Sequence, residues 1–258
     1  MKIMENNYFF KDVTLLITHY NRSQSLRELL KSFGELSCQF EDIVVSDDGS
    51  KAEHIDYLTR LQTEFPFRLI TTPKNKGLGN NINKGQDAVK TPLTLYVQED
   101  FTPTAIFPDS FQNALNLMNG KPELDVVRFY AYFEYPYLKN PQEGFYQMDF
   151  KVWKPGYHKF YVYSDHPHLR RTSYFQKFGR YIEGVKGDVT EYAMMMSFLK
   201  KNGKAMFYKD YTTLFLQKNS EAEPSTMKRD IWRESDNFFL TQLRHLYRHL
   251  KFNLDYLK

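Results

Sequence analysis

The chain has 258 residues, 41% of them hydrophobic and 17% aromatic, with 35 Lys and Arg against 31 Asp and Glu and a single cysteine. That length suits one large α/β domain or two small ones; the lone Cys38 excludes an internal disulfide framework and fits a reducing compartment. No apolar run is long enough to span a bilayer, residues 1–11 lack the apolar core of a signal peptide, and a net charge of +4 allows an anionic substrate or membrane surface, so the expectation is a cytoplasmic protein without a nucleic-acid partner.

Val13-Thr14-Leu15-Leu16-Ile17-Thr18 is apolar and β-branched, which predicts a buried strand. After the loop His19-Tyr20-Asn21-Arg22, Ser25 and Glu28 have capping-box spacing. Leu26, Leu29, Leu30 and Phe33 then share one helical face, and Gly34 is placed to end the helix. Ile43-Val44-Val45 is a second short strand, running into Ser46-Asp47-Asp48-Gly49-Ser50. A helix over 52–64, a strand over 67–71, the loop Asn75-Lys76-Gly77-Leu78-Gly79 and a weak helix holding Ile82 and Val89 come next. Leu93–Gln98 reads as a central strand covered on both faces, ending in Glu99 and Asp100.

Pro103 and Pro108 are expected to break the chain, before a helix marked by Phe111, Ala114, Leu115 and Met118 and a strand over 124–130. Periodicity fades from 131 to 178, a Tyr-, Pro-, Lys- and His-rich stretch read as strands and long loops. A helix over 191–201 and a strand over 205–208 close the domain. Strands alternating with helices at this spacing predict an α/β fold with a mixed, mostly parallel sheet flanked by helices. The expected division is a domain over 1–217 and a tail over 218–258, with a linker at 218–224. In the tail, 231–258 reads as a helix with Phe239, Leu243, Leu246, Leu250 and Leu254 along one side and Arg244, His245, Arg248, His249 and Lys251 among them. Such a helix either packs on the domain or a second subunit, or lies on an anionic membrane.

Three carboxylate groups are candidates for chemistry. Asp47-Asp48 follows a buried strand, and Gly49 permits a tight turn. Those carboxylates either take the imide N–H of a uracil or the hydroxyls of a ribose, or form an Asx turn that caps the next helix. Glu99-Asp100 stands at a strand end, where ligands bind in open α/β sheets. The pair is either exposed loop acid or a hard-oxygen site for a divalent cation that holds phosphate. Asp188 and Glu191 flank a helix start, where acids serve the helix dipole or act as a general base. Asp165-His166-Pro167-His168 is a surface loop broken by Pro167, or else His166 completes a metal set. Gly77-Leu78-Gly79 lacks the spacing of a dinucleotide-binding turn.

Taken in order, these segments resemble family 2 glycosyltransferases. Val13 to Asn21 resembles that family's first strand and Thr-x-Tyr-Asn turn, Ile43 to Ser50 its Asp-Asp-Gly-Ser turn, and Asn75 to Gly85 its Asn-x-Gly segment, while Gln98-Glu99-Asp100 takes the place of its Asp-x-Asp motif. The resemblance implies a GT-A fold, with 1–100 binding a nucleotide-sugar donor, a UDP-sugar by preference, and 101–217 binding a glycan or lipid-linked acceptor. It implies donor contacts from Thr18, Tyr20, Asn21, Asp47, Asp48 and Gly77, and Mg²⁺ or Mn²⁺ on Glu99 and Asp100. The family's base belongs to a Glu-Asp pair opening a late helix. Here Thr190-Glu191-Tyr192 aligns with it, so Tyr192 stands where the catalytic Asp is expected, and Glu191 and Asp188 remain as carboxylates for the proton. The aromatic stretch from Tyr130 to Tyr163 is the expected acceptor face, with Trp153 as a stacking platform. A non-catalytic carbohydrate-binding protein and a sugar nucleotidyltransferase are the alternatives.

Overall fold

The computed structural model describes residues 7–218, 223 and 238–258. The chain begins β1 (Tyr8–His19), α1 (Ser23–Glu35), β2 (Cys38–Asp47), α2 (Ala52–Leu61), β3 (Arg68–Ile70), α3 (Leu78–Asp87) and β4 (Leu93–Gln98). It continues β5 (Phe101–Pro103), α4 (Phe107–Gly120), β6 (Val126–Arg128), β7 (Leu138–Gln142), β8 (Phe145–Met148), β9 (His168–Arg171), α5 (Tyr174–Phe178), α6 (Gly187–Lys200), β10 (Ala205–Tyr208), β11 (Phe215–Gln217) and α7 (Phe238–Leu257). Among the described residues nine strands form one sheet in the order β3-β2-β1-β4-β9-β6-β10-β8-β7, and β11 pairs with β5 beside it. β1, β2, β3 and β4 are mutually parallel, whereas β9 enters antiparallel to both β4 and β6. This is the expected mixed sheet flanked by helices.

Strand alternation sorts the core into two layers. Leu15, Ile17, Leu95 and Val97 point to one face, against Leu26, Leu29 and Phe33 of α1, Leu58 of α2 and Phe107 and Phe111 of α4. Leu16, Val44 and Tyr96 point to the other, with Ile82 of α3, Phe178 of α5, Met194 and Phe198 of α6 and Phe252 of α7. Each fully buried Leu or Phe contributes about 1.5–3 kcal/mol.

Several local expectations are corrected. Pro108 does not break the chain; it sits in the first turn of α4, where its missing N–H has no helical partner to lose. Ser25 and Glu28 form no capping box, because α1 starts two residues earlier, at Ser23. Its open amides are instead met by a residue far along the chain: Gln24 N and Ser25 N donate to the Glu223 carboxylate at 3.0 and 2.8 Å, and Ser25 Oγ at 2.6 Å. Gly34 lies within α1 rather than beyond it. The linker at 218–224 and the start of the tail helix at 231–237 lie largely outside the described residues.

Candidate functional site

The strand order turns at β1: β2 and β3 extend one way and β4 the other. A crevice opens at such a point, outside the carboxyl ends of the strands. The parallel register pairs Thr18 with Gln98 and His19 with Asp47, so the ends of β2, β1 and β4 stand side by side. A cavity of about 660 Å³ lies there. Of the residues expected from sequence, Thr18, Tyr20, Asp48 and Gly77 line it from one side, and Glu99, Asp100, His166 and Glu191 from the other.

Asp47 and Asp48 separate in role. Asp47 is fully buried and lies outside the cavity wall. Its Oδ2 accepts Ser50 N at 3.0 Å, and its Oδ1 accepts Ser50 Oγ and, at 2.8 Å, His19 Nδ1. Arg22 N donates to His19 Nε2 at 3.2 Å, which places the imidazole hydrogen on Nδ1. Burial acts to raise the Asp47 carboxyl, but the bonds from His19 and Ser50 outweigh it and hold the group below its usual range. Asp48 lines the cavity and pins the neighbouring loop, accepting Lys76 N at 2.8 Å and Gly77 N at 2.9 Å. Asn21 is also a turn residue: its Oδ1 accepts Lys51 N at 2.8 Å and its own N–H donates to Ser50 Oγ at 2.8 Å. Asp47 thus braces the turn and Asp48 the cavity wall, while α2 begins after Lys51 with no side-chain cap, so the expected helix cap is not formed.

Gly49 makes this turn possible. Its φ is +69°, and a Cβ there would stand 2.3 Å from the Lys74 backbone carbon. Gly49→Ala is expected to cost at least ~2 kcal/mol, lowering Tm by about 4–8 °C. A thermal melt with an unchanged midpoint would show that the turn tolerates a side chain.

At the β4 end, Asp100 is buried, and its Oδ2 meets Arg22 Nη1 at 3.3 Å and Gln217 Nε2 at 2.9 Å. Its Oδ1 is buried without a hydrogen-bond partner among the described residues. The half-buried Glu99 carboxyl is pushed up to about 8 by burial and then by the Asp100 charge. Gln217 comes from β11, which pairs with β5 directly after Asp100, and it also accepts Tyr132 OH at 3.0 Å. Burial and the nearby Arg128 push His166 down to about 3. His166 Nδ1 lies 3.1 Å from Ser164 Oγ. Among the described residues no three His, Cys, Asp or Glu side chains are gathered into a metal-holding set.

The far wall holds a second acidic pair. Asp165 N donates to Glu191 Oε1 at 3.2 Å. Burial raises both carboxyls, and their mutual proximity raises Glu191 further, well above the usual range. Arg128 stands behind them: Nη2 donates to Ser164 Oγ at 2.7 Å, and burial lowers the guanidinium to about 10. Asp188 sits in the first turn of α6, outside the cavity wall. Tyr192 also lies outside it, its OH donating to Asp255 Oδ2 of α7 at 2.7 Å. Trp153 is not part of the wall either; it is 77% exposed on a loop. Tyr132, Phe133 and Tyr161 supply the aromatic lining instead.

The profile of glycosyl transferase family 2 matches residues 14–179, well over half of the chain. The chain belongs to this family. An uncharacterized glycosyltransferase of Haemophilus influenzae is 27% identical over 106 residues, 39% of this chain and 37% of that protein, so the chain spans little more than a third of this relative. Among solved structures, S. aureus TarS 1–349 in complex with UDP-GlcNAc is similar at a TM-score of 0.57 and 13% identity, over 93% of this chain and 73% of that one. The mannosyltransferase PcManGT from Pyrobaculum calidifontis, in complex with GDP-Man and Mn²⁺, is similar at a TM-score of 0.56 and 14% identity, over 93% and 63%. Both likenesses establish the shared fold.

Within this family 2 chain the donor set at the β4 end suits a divalent cation. Asp100 Oδ1 is a buried carboxyl oxygen with no hydrogen-bond partner among the described residues, which is costly unless a cation arrives. Mg²⁺-type ions are commonly held by one or two carboxylates with phosphate and water completing the shell, and Glu99 and Asp100 provide that number. Arg22, Arg128 and Gln217 are cavity residues that the sequence did not single out, and Asp165 entered only as part of the Asp165–His168 segment. That segment drew notice for its ligand-type Asp and His side chains.

Proposed function

We propose that the chain is an inverting, metal-dependent hexosyltransferase that moves a sugar from a nucleoside-diphosphate sugar to a hydroxyl of a glycan or lipid-linked acceptor, in cytoplasmic steps of surface polysaccharide synthesis. The observation that carries this reading is the convergence of the Asp48 loop, Glu99-Asp100 and Asp165-Glu191 on one cavity. A UDP-sugar is favoured. The UDP-GlcNAc complex of TarS and the GDP-Man and Mn²⁺ complex of PcManGT support donor and ion together.

Thr18, Tyr20 and the Asp48–Gly77 loop line the nucleoside side of the cavity. Glu99 and Asp100 would hold Mg²⁺ or Mn²⁺, which neutralises charge on the departing diphosphate when bound. Arg22, already at Asp100, adds a fixed positive charge on the same side. The Asp165-Glu191 pair faces the aromatic side of the cavity and takes the proton of the attacking hydroxyl. The halves 1–100 and 101–217 then serve donor and acceptor.

Thermal shift tests the donor half directly. UDP, UDP-GlcNAc and GDP-Man are each added with and without Mn²⁺. A nucleotide present at 100 times its Kd stabilises by about 2.7 kcal/mol, roughly 5–10 °C in Tm. No shift with any of them would remove the donor assignment. Tyr192 in place of the family's Asp favours a second reading, a binder without catalysis. Mn²⁺-dependent hydrolysis of the nucleotide sugar separates the two.

A further inference from the structure

α7 is turned outside-in. Its domain side carries Phe252, whose ring meets Tyr192 at 4.8 Å and Phe160 at 5.6 Å, with His245 against Tyr157 at 5.3 Å and Tyr256 against Phe150 at 5.0 Å. Leu243, Leu246, Tyr247, Leu250, Leu254 and Leu257 face away from the domain, each 54–70% exposed. Their spacing of three and four residues makes one continuous stripe. Scattered apolar side chains are normal on a surface, but a contiguous row of six on one helix marks an interaction site.

The chemistry of the flank says what covers it. Arg244, Arg248, Lys251 and Lys258 share one side of the stripe, against Asp255 as the sole carboxylate from 238 to 258. Lys251 pairs with Asp255 at 2.6 Å, and Arg248 rests its guanidinium over Tyr157, so the cations are anchored beside the apolar row. Two copies meeting stripe to stripe in an antiparallel pair would bring two cationic flanks together. An anionic surface neutralises them. The neighbouring loop has the same character. Trp153 is exposed, Lys151 Nζ lies 5.7 Å over its ring, and Lys159 ties the loop to α7 by donating to Val152 O, to Lys154 O at 2.6 Å and to Asn253 Oδ1 at 3.1 Å. Trp beside Lys is the pairing that sits at the headgroup level of bilayers.

We propose that the outer face of α7, with the Trp153 loop beside it, docks on an anionic lipid bilayer, the helix lying in the plane of the headgroups. No described helix is long and apolar enough to cross a membrane, so this is contact from one side. The docking face is one helix thickness from the acceptor wall: Phe252 lies 6.1 Å from Tyr161, a cavity residue, and against Tyr192, which follows Glu191. On the transferase reading, an acceptor carried on lipid enters from that side.

Sedimentation of the full chain with phosphatidylcholine vesicles, with and without phosphatidylglycerol, tests the docking. Binding is expected with phosphatidylglycerol, at least about tenfold weaker without it, and weaker in added salt. The double variant Leu246→Glu, Leu250→Glu changes only exposed side chains and should lose binding at least about tenfold, with Trp153→Ala intermediate. Equal binding to neutral vesicles, or full binding by the double variant, overturns the proposal. So does a failure to sediment, and light scattering showing a dimer that the double variant splits would assign the face to a second copy. The UDP thermal shift is read in parallel. Vesicle binding without a nucleotide shift keeps the docking and removes the transferase reading, and the reverse result does the opposite.

Discussion

Asp100→Asn is expected to reduce Mn²⁺-dependent turnover of a nucleotide sugar by roughly 10³-fold or more, since a cation at a developing charge supplies several kcal/mol and each 1.36 kcal/mol is tenfold in rate. The amide keeps the shape of the carboxylate and removes the charge. Oδ1 is buried with no donor among the described residues, and it is the atom a cation would satisfy. The same change takes the ionised partner from Arg22, whose Nη1 is 3.3 Å from Oδ2. Arg22 Nη2 still donates to Lys218 O at 3.3 Å, so the expected stability loss is about 1–3 kcal/mol rather than unfolding. Two measurements check this: Mn²⁺ affinity by electron paramagnetic resonance, and hydrolysis of UDP-GlcNAc. Lost affinity and lost turnover with a folded chain match the assignment. Full activity in Asp100→Asn would end the metal role. Glu99→Gln, at a half-buried side chain, should act on Mn²⁺ affinity with little change in Tm.

The donor half was legible because its signals are local. A parallel strand buried on both faces announces itself as an apolar run, and its carboxyl end is the ligand edge, so Thr18, Asp48 and Asp100 could be placed from the sequence in order. The far wall was not legible, for a topological reason. β9 runs antiparallel to β4, so His168 stands opposite Tyr96, and the residues just before β9 are delivered to the end of β4. Arg128 closes β6 opposite the same His168. Nothing in the spacing of Asp165 or Arg128 reports this, because the pairing joins positions far apart in sequence. Gln217 arrives through β11, a three-residue strand of no distinct periodicity. α7 shows a different limit. Its 3.6-residue pattern was clear, but the pattern alone does not say which face turns inward. The helix buries Phe252 between aromatic side chains of the domain and leaves the longer leucine row outside.

Glu191→Gln and Asp165→Asn are each expected to lower transfer, or hydrolysis with water as acceptor, by about 10²–10⁴-fold, the usual contribution of a positioned general base. Burial and the adjacent Asp165 hold Glu191 well above the ordinary carboxylate range, and burial raises Asp165 as well, so the two carboxyls titrate as a pair. On the proposed reading the pair takes the hydroxyl proton, its members held together by the bond in which Asp165 N donates to Glu191 Oε1 at 3.2 Å. Removing either member therefore costs more than one hydrogen bond, and the double variant should be little worse than the worse single, because the two act as a unit. Nucleotide binding reads a different wall and should be unchanged in both variants. The decisive measurement replaces the nucleophile. Azide attacks without losing a proton, so Glu191→Gln should form the inverted glycosyl azide at close to the wild-type rate while water remains a poor acceptor. A variant that fails equally with azide has lost its geometry rather than its base. Tyr192→Asp, which restores the family's expected side chain, should not recover the activity, because that position faces Asp255 and Phe252 of α7 and stands outside the cavity wall. On the proposed reading the proton leaves by the carboxylates that line the cavity, while Tyr192 holds α7 through its bond to Asp255.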